Sequence, residues 1–259
     1  MRKGLVKTAI IIFIILSLSI NVCADDAKSW YCKRNGEHKQ PIADADMRFI
    51  EDYDGYYIDH KHGDGDQDKV VYLTFDAGYE NGNIEKILDV LSEKKVSGAF
   101  FILGNLIKSN LPLVMRMSQE GHLVCNHTYN HPDMTKKDTL QEFEEELISL
   151  EKLYEESTGQ RLSRFFRPPE GRFDTKTLEY AQKSGYKTIF WSFAYADWDN
   201  NAQMSCEAAK AKILDNVHNG AVILLHPTSA TNAAILGDVI DELRSQGYRF
   251  GTLEELVEK

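Results

Sequence analysis

Basic charge is scarce in this chain. Thirty Lys and Arg stand against 40 Asp and Glu, a formal net charge of −10 over 259 residues. Nucleic-acid binders usually carry a basic stripe that neutralises phosphates, and none is present, so a nucleic-acid partner is excluded. Cysteine is also scarce. Four scattered cysteines cannot form the framework of a disulfide scaffold. The longest apolar run, Ala9 to Ile20, has twelve residues, whereas a bilayer span needs about 20. There is no G-x-S-x-G turn for a serine hydrolase, no Walker A loop and no dinucleotide glycine fingerprint. Repeats and low-complexity segments are missing too. What remains is ordinary globular composition, 42% hydrophobic and 27% charged, which excludes disordered and collagen-like classes.

Residues 1–24 read as a secretory signal. Arg2, Lys3 and Lys7 precede the apolar run, and Val22 and Ala24 occupy the −3 and −1 positions of a cleavage site. An uncleaved anchor is the other reading. Val22 before Cys23, where Gly or Ala is expected, counts against a lipoprotein. Either way the remainder is expected outside the cytoplasm, without stable membrane insertion after cleavage. Cleavage would remove 24 of the 259 residues, three of them basic and none acidic. That leaves 235 residues at −13, and Cys32, Cys125 and Cys206, among which one disulfide at most can form. Cys125 lies in the apolar run HLVCN and reads as a buried small residue.

Residues 25–68 form a polar and aromatic lead-in, with a hairpin expected around Tyr56 and Tyr57. The Asp-Gly alternation at 64–66 does not complete a calcium-loop pattern and reads as a solvated turn.

From Lys69 to the end the pattern is regular. The apolar, β-rich runs are 70–75, 98–103, 122–126, 164–166, 187–193, 221–225 and 248–253. Helix-period stretches at 84–95, 109–120, 139–158, 175–184, 205–218 and 231–246 alternate with them. Such alternation implies parallel strands with right-handed crossovers. Gly121, Gly185 and Gly247 read as helix ends, and Asp138 and Asp174 as caps of the helices that follow. The expected fold is α/β: a barrel of about seven parallel strands over residues 69–259, with an open doubly wound sheet as the other option. The barrel is preferred because Asp76, His127, Arg167, Asp197 and His226 all fall at or just after strand ends, which converge on one face in a parallel barrel.

These residues suggest a chemistry. His127 and His131 form an H-x-x-x-H pair; on one helical turn both imidazoles would face a single divalent metal. A third ligand or water is still needed. Asp76, in FDAGYENG, is placed to act as a general base toward water. Arg167, stiffened by Pro168 and Pro169, can keep Asp76 ionised. Asp197 can raise the pKa of His226 and make it an acid for a leaving amine, with Trp198 as an apolar wall.

The ordered set TFDAG, HTYNHPDM, RFFRPPEG, ADW and LLH resembles the five motifs of the polysaccharide deacetylases (NodB homology, carbohydrate esterase family 4). FDAGYENG, DWD and HPTSATNA resemble the spore-cortex branch, which deacetylates N-acetylmuramic acid and leads to muramic δ-lactam. The resemblance implies a deformed (β/α) barrel and a secreted peptidoglycan N-deacetylase of the cell wall or spore cortex. It also implies that the glycan substrate has been stripped of stem peptides by an amidase. Asp76 is similar to the family's base, Arg167 to the arginine that tunes it, and Asp197 and His226 to the acid pair. The backbone N–H of Glu170 would hold the oxyanion. Trp198 and Leu224 would line the acetyl pocket, and His127 and His131 would bind a divalent metal, zinc by expectation. Arg172 is a candidate contact for the substrate carboxylate, with surface exposure as the other reading.

One departure concerns the metal. The family's acidic ligand directly after the base is replaced by Ala77. The competing readings are a glucosamine deacetylase, a non-catalytic glycan-binding member, and a glycosidase pairing Asp76 with Glu170 or Asp197.

Overall fold

The computed structural model describes residues 27–258 apart from Asn35. The proposed signal therefore lies outside the described residues. Strands β1 (Lys28–Ser29) and β2 (Gly55–Tyr56) belong to the lead-in. Then come β3 (Lys69–Ala77), α1 (Ile84–Lys94), β4 (Ala99–Ile102), α2 (Gly104–Gln119), β5 (Leu123–Asn126), α3 (Leu140–Thr158) and β6 (Ser163–Phe166). The chain continues with β7 (Arg172–Phe173), α4 (Thr175–Lys183), β8 (Lys187–Ile189), α5 (Cys206–Leu214), β9 (Ala221–Leu225), α6 (Ala230–Ser245), β10 (Tyr248–Phe250) and α7 (Leu253–Val257).

All seven expected strand runs are present. The sheet runs β10-β3-β4-β5-β6-β8-β2, with β9 on the other edge of β3, and its ladders are all parallel. It curls until Phe193, just past β8, makes a parallel bridge to Ile223 of β9. A deformed barrel results.

Strand alternation sorts the side chains into two cores. Val71, Leu73, Phe75 and Ala77 of β3 face the helices, where α1 presents Ile84, Ile87, Leu88 and Leu91. That i, i+3, i+4, i+7 spacing is one helix face. Val70 and Tyr72 face the barrel interior with Phe101, Cys125, Ile189 and Val222, and α7 adds Leu253, Leu256 and Val257. By the same alternation Thr74 and Asp76 follow Tyr72 on the interior side. Asp76 is therefore delivered to the C-terminal mouth by strand period alone.

Helix ends follow local chemistry. Gly121, Gly185 and Gly247 have φ of +82°, +77° and +87°, a left-handed conformation that glycine adopts without a Cβ penalty. Asp174 caps α4 by accepting from the Thr177 N–H.

Several expectations need correction. Asp138 does not cap α3; Thr139 does, in a reciprocal capping box with Glu142. Helix α2 starts at Gly104 rather than 109 and leaves helical angles at Asn110, two residues before Pro112. Proline removes a backbone donor and restricts the chain just before it, so the period on either side reads as two pieces. No hairpin forms at Tyr56 and Tyr57. Instead β2 joins β8 in parallel, and Met47, Ile50, Tyr57 and Ile58 pack with Phe173 and Phe190 as a small third core. The lead-in is thus built into the barrel wall. Cys32, Cys125 and Cys206 are all free, and Cys125 is buried as expected. No helix among the described residues is long and apolar enough to cross a membrane.

Candidate active site

A cavity of about 790 Å³ opens at the C-terminal mouth of the barrel. It is lined by Asp76, His127, His131, Glu170, Trp198, Leu224 and His226 among others. Seven of the nine sequence-derived candidates therefore border one cavity, and Arg167 and Asp197 stand directly behind it.

Arg167 is fully buried, and its guanidinium is completely tied down. It donates from Nη1 to Asp76 Oδ1 (2.7 Å), from Nε to the Ile189 carbonyl (2.9 Å) and from Nη2 to Thr74 Oγ1 (2.9 Å) and the Phe190 carbonyl (3.3 Å). The Phe101 ring lies 4.2 Å below its carbon centre. Burial pushes the Asp76 carboxyl toward its neutral form, but Arg167, with His127 and His226, outweighs burial and holds it below the usual carboxylate range. Asp76 is thus an ionised acceptor with one oxygen engaged by Arg167. Its other oxygen, Oδ2, lies 3.6 Å from His127 Nε2. The glycines after it leave the helix cap to Glu80, whose carboxylate accepts from the Ile84 N–H at 3.0 Å.

His127 donates from Nδ1 to the Arg167 carbonyl at 2.8 Å. The neutral ring therefore keeps its lone pair on Nε2. Burial lowers its pKa to about 4, which preserves that neutral form. HTYNH is not a helical turn. Thr128 and His131 sit at φ of +73° and +61°, and this irregular loop places the two imidazoles edge to face with centroids 5.0 Å apart. Pro132 helps prevent the helical alternative.

Beside Asp76, His226 follows β9, the strand paired with β3, and meets Asp197, which is 2% exposed and accepts three bonds. They come from His226 Nδ1 (2.7 Å), the His226 backbone N–H (2.8 Å) and Asn232 Nδ2 (2.6 Å). Burial disfavours the charged imidazole, yet the Asp197 bond and charge overcome it and raise the His226 pKa. Trp198 stands edge-on to His226 with centroids 6.0 Å apart and is 60% exposed. The two carboxylates thus have different partners, a guanidinium for Asp76 and an imidazole for Asp197. One is free to accept a proton, and the other charges an imidazole.

Glu170 and Gly171 form a tight turn with φ of +58° and +63°. For a residue with a Cβ that conformation costs about 1–2 kcal/mol. Arg172 does not reach the cavity lining; its Nε is ion-paired to Asp133 Oδ2 at 2.9 Å.

Residues 63–189 match the model of the polysaccharide deacetylase family. Peptidoglycan-N-acetylmuramic acid deacetylase PdaA of Bacillus subtilis is 39% identical over 230 residues, covering 88% of this chain and 85% of that protein. The chain belongs to the polysaccharide deacetylase family. A solved structure of Bacillus subtilis PdaA, a family 4 carbohydrate esterase, superposes with a TM-score of 0.83 at 38% identity, covering 89% of this chain and 97% of that one. A family 4 carbohydrate esterase from Bacillus anthracis gives 0.72 at 36% identity, covering 90% and 96%. Peptidoglycan-N-acetylglucosamine deacetylase PgdA of Listeria monocytogenes is 34% identical over 189 residues, 73% of this chain and 39% of that protein.

Membership in this family makes the metal question concrete. A catalytic zinc is ordinarily held by three protein ligands and a water. Ala77 is fully buried among the helix-facing apolar residues and offers no donor. Among the described residues, no three His, Cys, Asp or Glu side chains stand together as a metal set. The donor set therefore does not fit a three-ligand resident ion, although His127 and His131 supply two imidazoles.

Sequence reasoning missed several residues of this site. Thr74 was legible in principle, because it precedes Asp76 by one strand period. Asn232, which braces Asp197 from α6, carries no local signal. Trp30, Tyr79 and Trp191 also line the cavity; Tyr79 belongs to the FDAGYENG stretch, whereas Trp30 and Trp191 lie outside the motifs.

Proposed function

We propose that the chain is an extracytoplasmic peptidoglycan N-deacetylase. It would remove the acetyl group of N-acetylmuramic acid in the spore cortex, on the way to muramic δ-lactam. One observation carries the chemistry: an ionised Asp76 and a His226 with raised pKa line the same cavity from the ends of the paired strands β3 and β9. Such a pair moves protons in opposite directions, as amide hydrolysis requires.

Asp76 takes a proton from water as its oxygen attacks the N-acetyl carbonyl. The backbone N–H of Glu170 donates to the oxyanion. His226, held by Asp197, gives its Nε2 proton to the amide nitrogen as the carbon–nitrogen bond breaks. Acetate and a free amine leave. In the cortex, that amine closes onto the lactyl carboxylate of a muramic acid whose stem peptide an amidase has removed, and water is lost. Leu224 and Trp198 shape the acetyl pocket. His127 and His131 are the donors that an added divalent ion, zinc first, would engage.

The glucosamine reading has one observation in its favour. No Lys or Arg is among the residues lining the cavity, and Arg172 is occupied by Asp133, so no paired cation meets a muramic carboxylate. The glycosidase reading loses Asp197, whose oxygens are consumed by three donors.

Mass spectrometry of peptide-free cortex glycan and of its glucosamine-only counterpart tests the proposal. The expected result is loss of acetyl mass from muramic residues without new reducing ends. Asp76→Asn should reduce that release by at least about 10²-fold. Chain cleavage, or full activity in Asp76→Asn, would sink the mechanism; glucosamine-only release would move the substrate.

A further inference from the structure

The Glu170–Gly171 turn is held from outside the family motifs. Trp30, from the lead-in, donates its backbone N–H to the Gly171 carbonyl at 2.8 Å. Lys28 and Ser29 continue that contact as an antiparallel ladder with Phe173 and Arg172. The Trp30 indole donates from Nε1 to the Trp191 carbonyl at 2.8 Å. Its ring is 4.7 Å from Phe190 and 5.1 Å from Tyr57, centroid to centroid, and the residue is only 4% exposed. Gly171 is wedged beneath these rings. A Cβ there would meet the Trp191 ring at 2.6 Å and the Trp30 Cβ at 3.2 Å.

Two consecutive left-handed residues, one of them not glycine, persist only where the surroundings over-determine them. The turn's own bonds, from Gly171 N–H to the Pro168 carbonyl at 3.0 Å and from Arg172 N–H to the Pro169 carbonyl, are short-range ties. The family match starts at residue 63, so this strap is not part of the matched segment.

We propose that Trp30 is a positioning residue: the 28–30 strap clamps the 168–171 turn and aims the Glu170 N–H into the cavity. The inference rests on the deacetylase reading for its effect on rate, but not for its effect on the turn. Freed of the strap, the turn would relax toward right-handed angles, and the N–H would swing away from the site of the developing oxyanion. A donor that acts only on the oxyanion affects turnover and not substrate binding.

The test compares Trp30→Ala and Trp30→Phe in the chain starting at residue 25. Backbone amide exchange at 170–172 should quicken by about tenfold or more in Trp30→Ala, while exchange in β3 and β9 stays unchanged. Acetate release from peptide-free glycan should lose about tenfold or more in kcat with KM within about twofold. Trp30→Phe, which keeps the aromatic packing, should recover most of both. Unchanged exchange at 170–172 in a folded Trp30→Ala protein refutes the strap, as does a loss confined to KM. If the wild type releases no acetate while exchange at the turn still quickens, the deacetylase reading fails and the clamp stands.

Discussion

Asp197→Asn probes the acid half of the site with almost no change in shape. Three donors converge on the Asp197 carboxylate, at 2.6, 2.7 and 2.8 Å. A carboxylate serves all three, but an amide has a single accepting oxygen. The arrangement that loses least turns that oxygen toward the His226 backbone N–H and Asn232. The new NH₂ group then faces His226 Nδ1 and donates to it. The imidazole must carry its proton on Nε2 and has lost its anionic partner. The loss is one charge-assisted hydrogen bond in a site where the Asp197 side chain is 1% exposed, about 1.5–3 kcal/mol. The linkage sign follows from the raised His226 pKa. Its stabilisation is complete below the unfolded value and drains away as pH rises through the folded value. The variant should therefore fall furthest behind wild type at the acid side of that window. For catalysis, a positioned acid contributes about 10²–10⁴-fold. We expect kcat/KM for acetate release, followed between about pH 5 and 9, to drop at least 10²-fold, with the basic limb moved to lower pH. A folded variant with an unmoved basic limb, or with less than about a tenfold loss, would falsify His226 as the proton donor.

Two further outcomes follow from the same geometry. Arg167→Met leaves Asp76 as a buried charge without its partner and should cost about 3–5 kcal/mol in urea unfolding. Because the Asp76 carboxyl is held low in the folded state, its contribution exists above the unfolded pKa and is lost as pH falls through the folded one. Acid unfolding of Arg167→Met should consequently begin at higher pH; a coincident acid limb would contradict the pairing. Chelation followed by zinc titration tests the two-imidazole set. With two imidazoles as the donors, calorimetry should show weak zinc binding that His131→Ala reduces by about tenfold or more, and tight wild-type binding would show that an unrecognised ligand completes the site.

Much of this molecule is legible from local pattern. Strand runs and helix periods placed all seven barrel strands, because a parallel sheet buried on both faces writes itself as continuous apolar segments. Asp76, His127, Arg167, Asp197 and His226 could be singled out because each falls at or just after the C-terminal end of an apolar run, where a parallel barrel gathers its functional groups. What failed was also local: the HTYNH loop was read as a helical turn, and α2 was read five residues short across Pro112. Both errors have the same cause. Spacing reports which residues are neighbours in a regular element, and here the backbone is irregular.

The remainder needed three dimensions. Nothing in the order of residues says that Trp30 roofs a turn 140 positions later, or that Asn232 shares its amide with Asp197. Nor does it say that the lead-in adds a parallel strand to the wall. Those contacts are products of closure, which brings together segments whose separation along the chain carries no periodic signal. The acidic excess argued against a nucleic-acid partner and revealed nothing about the site. In the folded protein, negative charge matters at two buried carboxylates. Only the tertiary structure decides which one is neutralised by an arginine and which one charges a histidine.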